Sequence, residues 1–177
     1  MRPIRSFAAF LGLAALAVTA LVVHEVRAAD KDQIHKIADS IKAGKMDAAK
    51  ADAKAYAGKN KEVDDLMDGF GKKGLIAEGI GKKLTEWEKK GIGAADLINP
   101  NYQDIGAMAA AISLVCDSVD APKGQKGNQA QWTMFAKNLN DKGVKFQAAF
   151  KTKMPAAIKA AAAALNSSCT NCHAQFR

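Results

Sequence analysis

PAAIKAAAAALNSSCTNCHAQFR, residues 155–177, is the stretch from which the rest of this chain is read. Ile158, Leu165, Cys169, Cys172 and Phe176 recur at steps of seven, four, three and four, the spacing of one face of an α-helix. Pro155 suits the first turn, where its missing N–H costs nothing. In a helix, residues at i and i+3 share a face, and at about 100° per residue the i+4 position stands about 40° from the first. Cys169, Cys172 and His173 therefore converge on one patch.

Working back from that helix, nothing reads as strand. Alanine and lysine dominate, and apolar residues recur at threes and fours. From Asn128, a stripe of Trp132, Phe135, Leu139, Phe146 and Phe150 predicts a helix if Gly143 is accepted inside it. From Tyr102, Ile105, Met108, Ala109, Ile112, Val115, Cys116 and Val119 predict another, ending at Ala121-Pro122. Residues 69–81 hold five glycines and read as a loop; no strand precedes it and no Gly-Lys-Ser/Thr closes it, so a nucleotide cradle is rejected. The stretch around Trp87 and Leu97 reads as polar and leads to Asn99-Pro100. Val63, Leu66, Met67 and Phe70 predict a short helix. Earlier still, Asp30 can cap a helix bearing Ile34, Ile37 and Ile41 that ends near Gly44, and a second runs from Lys45 to Ala57. Short links between amphipathic helices imply antiparallel neighbours. The expected fold is all-α, an antiparallel four-helix bundle with extra N-terminal helices (29–60) and a last helix that bears Cys169, Cys172 and His173.

The first 28 residues are expected to be a signal peptide. Arg2 and Arg5 precede an uncharged run from Ser6 to Val23, and Val26-Arg27-Ala28 fits a cleavage site. The mature domain would be 29–177 and its location periplasmic. The chain of 177 residues is basic, with a formal charge of +8. Its lysines are scattered along helices without interleaved aromatics, which excludes a nucleic-acid footprint and leaves room for an acidic partner. No paired-carboxylate site or serine–histidine arrangement is evident, so an enzyme is not expected.

Cys169, Cys172 and His173 match the Cys-x-x-Cys-His signature of haem c attachment, in which two thiols add to vinyl groups and the imidazole reaches iron. A thioredoxin-like pair expects a βαβ setting and a helix N-terminus. Structural zinc wants four ligands, and only Cys116 and His35, both distant in sequence, could complete the set. A disulfide in a haem-free helical adaptor is the remaining alternative. The three cysteines are an odd number, which suits a disulfide framework poorly.

CTNCHAQFR, residues 169–177, resembles the end of the cytochrome c′ family, exported four-helix bundles whose last helix carries Cys-x-x-Cys-His, often with Phe-Arg soon after; here Phe176-Arg177 stands there. Leu66-Met67-Asp68-Gly69-Phe70-Gly71 is similar to a family segment, one residue shorter and with no arginine before it. The resemblance implies one haem c between the helices, thioether bonds from Cys169 and Cys172, and His173 as proximal iron ligand. It implies electron transfer between redox partner proteins or, alternatively, binding of nitric oxide or carbon monoxide at an open distal site. It also implies a homodimer.

A methionine thioether on the sixth position would suit an electron carrier. Met67 is the first candidate and Met108 the second, with core packing the bland alternative for both. Lys72 and Lys73 could neutralise propionates or lie on a solvated loop. His35 is expected at the surface, Cys116 as a small core hydrophobe, and the aromatics of the 132–150 stripe in the core.

Overall fold

A computed structural model of the chain describes residues 31–59, 63–71 and 74–177. The expected signal peptide, Lys72 and Lys73 lie outside the described residues. Every regular element among the described residues is helical. They are α1 (31–42), α2 (Met46–Ala57), α3 (Val63–Asp68), α4 (Ile80–Lys90), α5 (Ala94–Ile98), a 3₁₀ turn (Pro100–Tyr102), α6 (Ile105–Cys116), α7 (Gln129–Lys151) and α8 (Pro155–Phe176). No helix among the described residues is long and apolar enough to cross a membrane.

α1 buries Ile34, Ile37, Ala38 and Ile41, a single stripe, and stops at Gly44, whose φ of 72° is left-handed backbone that glycine adopts without strain. α2 answers with Ala49, Ala53, Tyr56 and Ala57. Lys36 pairs with Asp52 at 3.0 Å across this hairpin. α6 is the most buried element: all of its residues are buried and none is charged. A helix apolar on every side belongs in the middle of a fold, and α6 has α7 and α2 as neighbours, with α3 touching it as well.

α6 and α7 run antiparallel, with Gly106 level with Gln147, Ala110 with Gly143, and Cys116 with Trp132. The contact is backbone on backbone. A Cβ on Gly106 would lie 2.5 Å from the Gln147 nitrogen, and one on Gly143 would lie 2.8 Å from the Gly106 carbonyl oxygen. Glycine inside a helix costs about 1 kcal/mol against alanine, and here the close approach requires it. Asp104 precedes α6 without capping it by its side chain. Gln147 supplies the missing partner from α7: its Oε1 accepts from the Ala107 N–H at 3.0 Å while its Nε2 donates to the Gln103 carbonyl at 2.7 Å. One buried amide thus satisfies a donor that every helix start leaves orphaned.

α7 opens on a capping box, in which Asn128 accepts from the Gln131 N–H and the Gln131 side chain accepts from the Asn128 N–H. α8 is antiparallel to α7, with Asn138 beside Ser168 and Trp132 beside Phe176. α4 is antiparallel to α8: Lys159 donates to the Lys89 carbonyl at 3.4 Å, and Asn166 donates to Glu88 at 2.6 Å.

α4 corrects the reading of the stretch around Trp87 as merely polar, and takes Ile80 and Gly81 from the end of the expected loop. Ile80, Leu84 and Trp87 form a buried stripe at four and three, diluted in sequence by four lysines and two glutamates. Lys83 lies on that buried side too. Its ammonium pairs with Glu86 at 3.2 Å and Asp96 at 3.4 Å and sits 4.8 Å from the Tyr102 ring centroid. Trp87 stacks on Phe146 at 5.9 Å, meets Tyr102 edge-on at 5.6 Å, and donates to Asp96 at 2.7 Å. α6 also ends sooner than its apolar pattern predicts: Asp117 and Ser118 turn the chain, leaving Val119 outside the helix.

Candidate functional site

α8 places Cys169, Cys172 and His173 as its periodicity predicts, in the last turns of a helix that continues to Phe176. Cys169 and Cys172 are half-buried, Cys172 packing against the core, and His173 is exposed one position further round. All three cysteines of the chain are free thiols. Among the described residues, no three His, Cys, Asp or Glu side chains gather as a metal cluster.

The surroundings follow from the register. Phe176, one turn beyond Cys172, meets Trp132 edge-on at 5.2 Å and Phe135 at 6.1 Å. Gly127 makes room for it, since a Cβ there would collide with the Phe176 ring. One turn before Cys172, the Ser168 hydroxyl and the Asn138 amide oxygen lie 2.9 Å apart. Trp132 also donates its indole N–H to the Cys116 carbonyl at 2.8 Å, tying the end of α6 to the same level. Because α4 runs antiparallel to α8 past Asn166, the His173 end of α8 is level with the start of α4 and the glycine-rich segment before it.

Cys116 is where spacing in sequence misleads. Far from the C-terminal pair in the chain, it is close enough in the fold for the charge of Cys172 to be felt at its sulfur. Burial first, then that charge and Asp117, pushes the Cys116 thiol up to about 12. Burial likewise raises Cys169 to about 11, with Cys172 adding to it, and raises Cys172 itself. Burial lowers the His173 pKa, and the charge of Arg177 lowers it further, so this imidazole is biased toward the neutral form that ligates iron.

The two candidate distal methionines separate by level. Met108 is fully buried on α6, eight residues from Cys116 and so about 12 Å along the axis at 1.5 Å per residue. Met67 lies partly buried against the core on α3. Gly69, just after α3, packs against Ile112, one turn of α6 before Cys116: a Cβ added to it would lie 3.1 Å from the Ile112 side chain. Along α6, Gly69 of the family-like segment is therefore one turn nearer the level of Cys116 than Met108 is. Met134, which sequence spacing did not single out, is exposed on α7 and lines a hollow of about 80 Å³ with Phe135, Asn138, Ser168 and Asn171. His35 is exposed on α1, as expected. Trp132, Phe146 and Phe150 are buried and Phe135 is half-buried.

The donor set fits a covalently held haem: two free thiols on one helix face, beside a neutral-biased imidazole and an aromatic wall. The hollow lined by their neighbours Ser168 and Asn171 is far below the roughly 300–1,000 Å³ of a ligand pocket. A macrocycle on this face would have to part the side chains now packed over Cys169 and Cys172. Comparison with family models, with curated proteins and with solved structures returned no match.

Proposed function

We propose that this chain is a c-type cytochrome, an exported helical bundle of α4, α6, α7 and α8 that carries one covalent haem and passes electrons between redox partner proteins. One observation carries the reading: two free thiols and an imidazole on one face near the end of a buried-faced helix. Cys169 and Cys172 would form the thioether bonds and His173 would hold the iron from the proximal side. When bound, the haem supplies a one-electron couple whose potential is set by its axial ligands and by the burial of its surroundings. Met67 is the first distal candidate, in the family-like segment whose Gly69 packs against Ile112 of α6. The aromatic wall of Trp132, Phe135 and Phe176 excludes water from the cysteine side. The basic charge of the chain favours an acidic partner.

The test is an absorption spectrum of protein matured in an exporting host that attaches haem c, oxidised and reduced, with and without carbon monoxide. Haem that stays on the polypeptide through denaturing electrophoresis, and is lost in the Cys169→Ala/Cys172→Ala double variant, is the expected result. A sharp reduced spectrum indifferent to carbon monoxide, converted to a responsive one by Met67→Ala, supports electron transfer with methionine ligation. A reduced band that shifts with carbon monoxide in the unaltered protein moves the function to gas binding on the same scaffold. No haem band from matured protein would sink both.

A further inference from the structure

We infer that the end of the molecule where α4 and α7 finish and α8 begins is a basic tip that docks on an anionic phospholipid surface. Scattered in the sequence, Lys89, Lys90, Lys151, Lys153 and Lys159 are gathered there by the fold, and all five are exposed. Lys159, on the first turns of α8, reaches the Lys89 carbonyl at 3.4 Å, and a Cβ on Gly91 would lie 3.9 Å from the Lys159 side chain. Trp87 meets Phe150 at 6.1 Å, which sets the last turn of α4 beside the last turn of α7. Among the described residues no carboxylate pairs with any of the five. The carboxylates of the surrounding elements are engaged already: Glu86 and Asp96 by Lys83, Glu88 by Asn166, and Asp104 by Lys42. Helix dipoles do not supply the missing charge. α4 and α7 bring negative ends to the tip, α6 and α8 bring positive ones, and these partial charges of about one half each cancel.

Two details distinguish this tip from an ordinary solvated end. Lys153 has a φ of 55° and is the single non-glycine residue with left-handed backbone among the described residues. It stands just past the end of α7, a place that glycine fills without strain, so lysine there sets a charge at the apex against the local backbone preference. Met154 beside it is 59% exposed, which puts an apolar side chain amid the ammonium groups.

That chemistry selects the partner. The set holds no arginine, whose planar fork grips a single carboxylate or phosphate; ammonium groups on flexible stems are point charges that suit a diffuse negative field. A layer of anionic headgroups is such a field, each lysine brought to it adds roughly fivefold to binding, and an exposed methionine can settle between lipids. The docking does not need the haem, so its failure leaves the haem reading intact. Where that reading holds, His173 lies fourteen residues, about 21 Å, along α8 from Lys159 and is turned away from the lipid toward dissolved partners.

The exported chain, with or without haem attached, is mixed with vesicles of phosphatidylcholine alone or with phosphatidylglycerol added, and the bound fraction is read by sedimentation. Retention only on the vesicles that contain phosphatidylglycerol is the expected result. It should be lost as salt rises from about 0.01 to 0.15 M and the screening length falls from about 30 to 8 Å. Lys153→Gly should lower the binding constant about fivefold without lowering the thermal midpoint, because glycine suits that backbone. Lys151→Ala/Lys153→Gly should lower it about 25-fold. Lys50→Ala/Lys54→Ala, which removes two exposed lysines from α2, should leave it nearly unchanged. No retention at low salt would overturn the inference. So would equal retention on phosphatidylcholine alone, or a loss in the α2 variant equal to that at the tip.

Discussion

Gly106 and Gly143 show at the level of single residues how a local disadvantage becomes a requirement. Each weakens its own helix, and together they let two backbones touch. Gly106→Ala would drive a methyl group to within 2.5 Å of the Gln147 backbone nitrogen, and no flexible side chain can yield there. Overpacking of this kind costs about 1–3 kcal/mol or more. Gly106→Ala should lower the denaturation midpoint by a matching amount, with little change in the slope, in a urea titration. The sequence announces that Gly143 lies within a helical stripe but not what it touches. Cys169, Cys172 and His173 are the opposite case, because their relation is local and one turn of helix geometry places them. Cys116 was legible as a core residue. Its nearness to Cys172 depends on α6 meeting the rest of the fold, which no spacing encodes.

At the scale of elements, helices whose ends carry their own chemistry were read correctly from those ends. α7 begins at Asn128 because Asn128 and Gln131 satisfy each other's backbone donors, and α8 begins at Pro155 because proline is pre-set for that position. Asn128→Ala should cost about 1 kcal/mol through loss of the cap, measurable as a lower thermal midpoint with α7 fraying from its start. α4 lacks such a marker: glycines flank it, and no side chain caps it. Its buried stripe is three residues wide among charges, and one of the buried side chains is a lysine. Lys83 looks solvent-bound in sequence because only Glu86 is on its own helix, while Asp96 and the Tyr102 ring reach it from elsewhere in the chain.

Across the whole molecule, Lys42 and Lys83 act as charged fasteners between elements, and both give stability a pH dependence. Burial alone would lower each pKa, but Asp104 and Asp39 around Lys42, and Glu86 and Asp96 around Lys83, outweigh it and leave both above the ordinary value. A folded-state pKa raised above the unfolded one contributes stability that is complete below the unfolded value and is lost as pH climbs through the folded one. Tyr102, raised first by burial and then by Glu78, acts in the same direction. Unfolding followed by circular dichroism should therefore show a stable plateau up to about pH 10 and a decline above it. Lys83→Met should remove part of that alkaline slope.

The antiparallel seating of α4 on α8 joins segments some 80 positions apart, whereas residues 117–128 are enough to bring α7 back onto α6 and residues 152–154 to bring α8 back onto α7. Closing a long loop delays its contacts, and short loops form theirs early. The chain's two tryptophans fall on either side of this divide. Trp132 lies where α6, α7 and α8 meet. Trp87 becomes buried against Phe146 only when α4 docks. In haem-free protein diluted out of denaturant, single-tryptophan variants should act as two clocks, with the emission of Trp132 settling before that of Trp87.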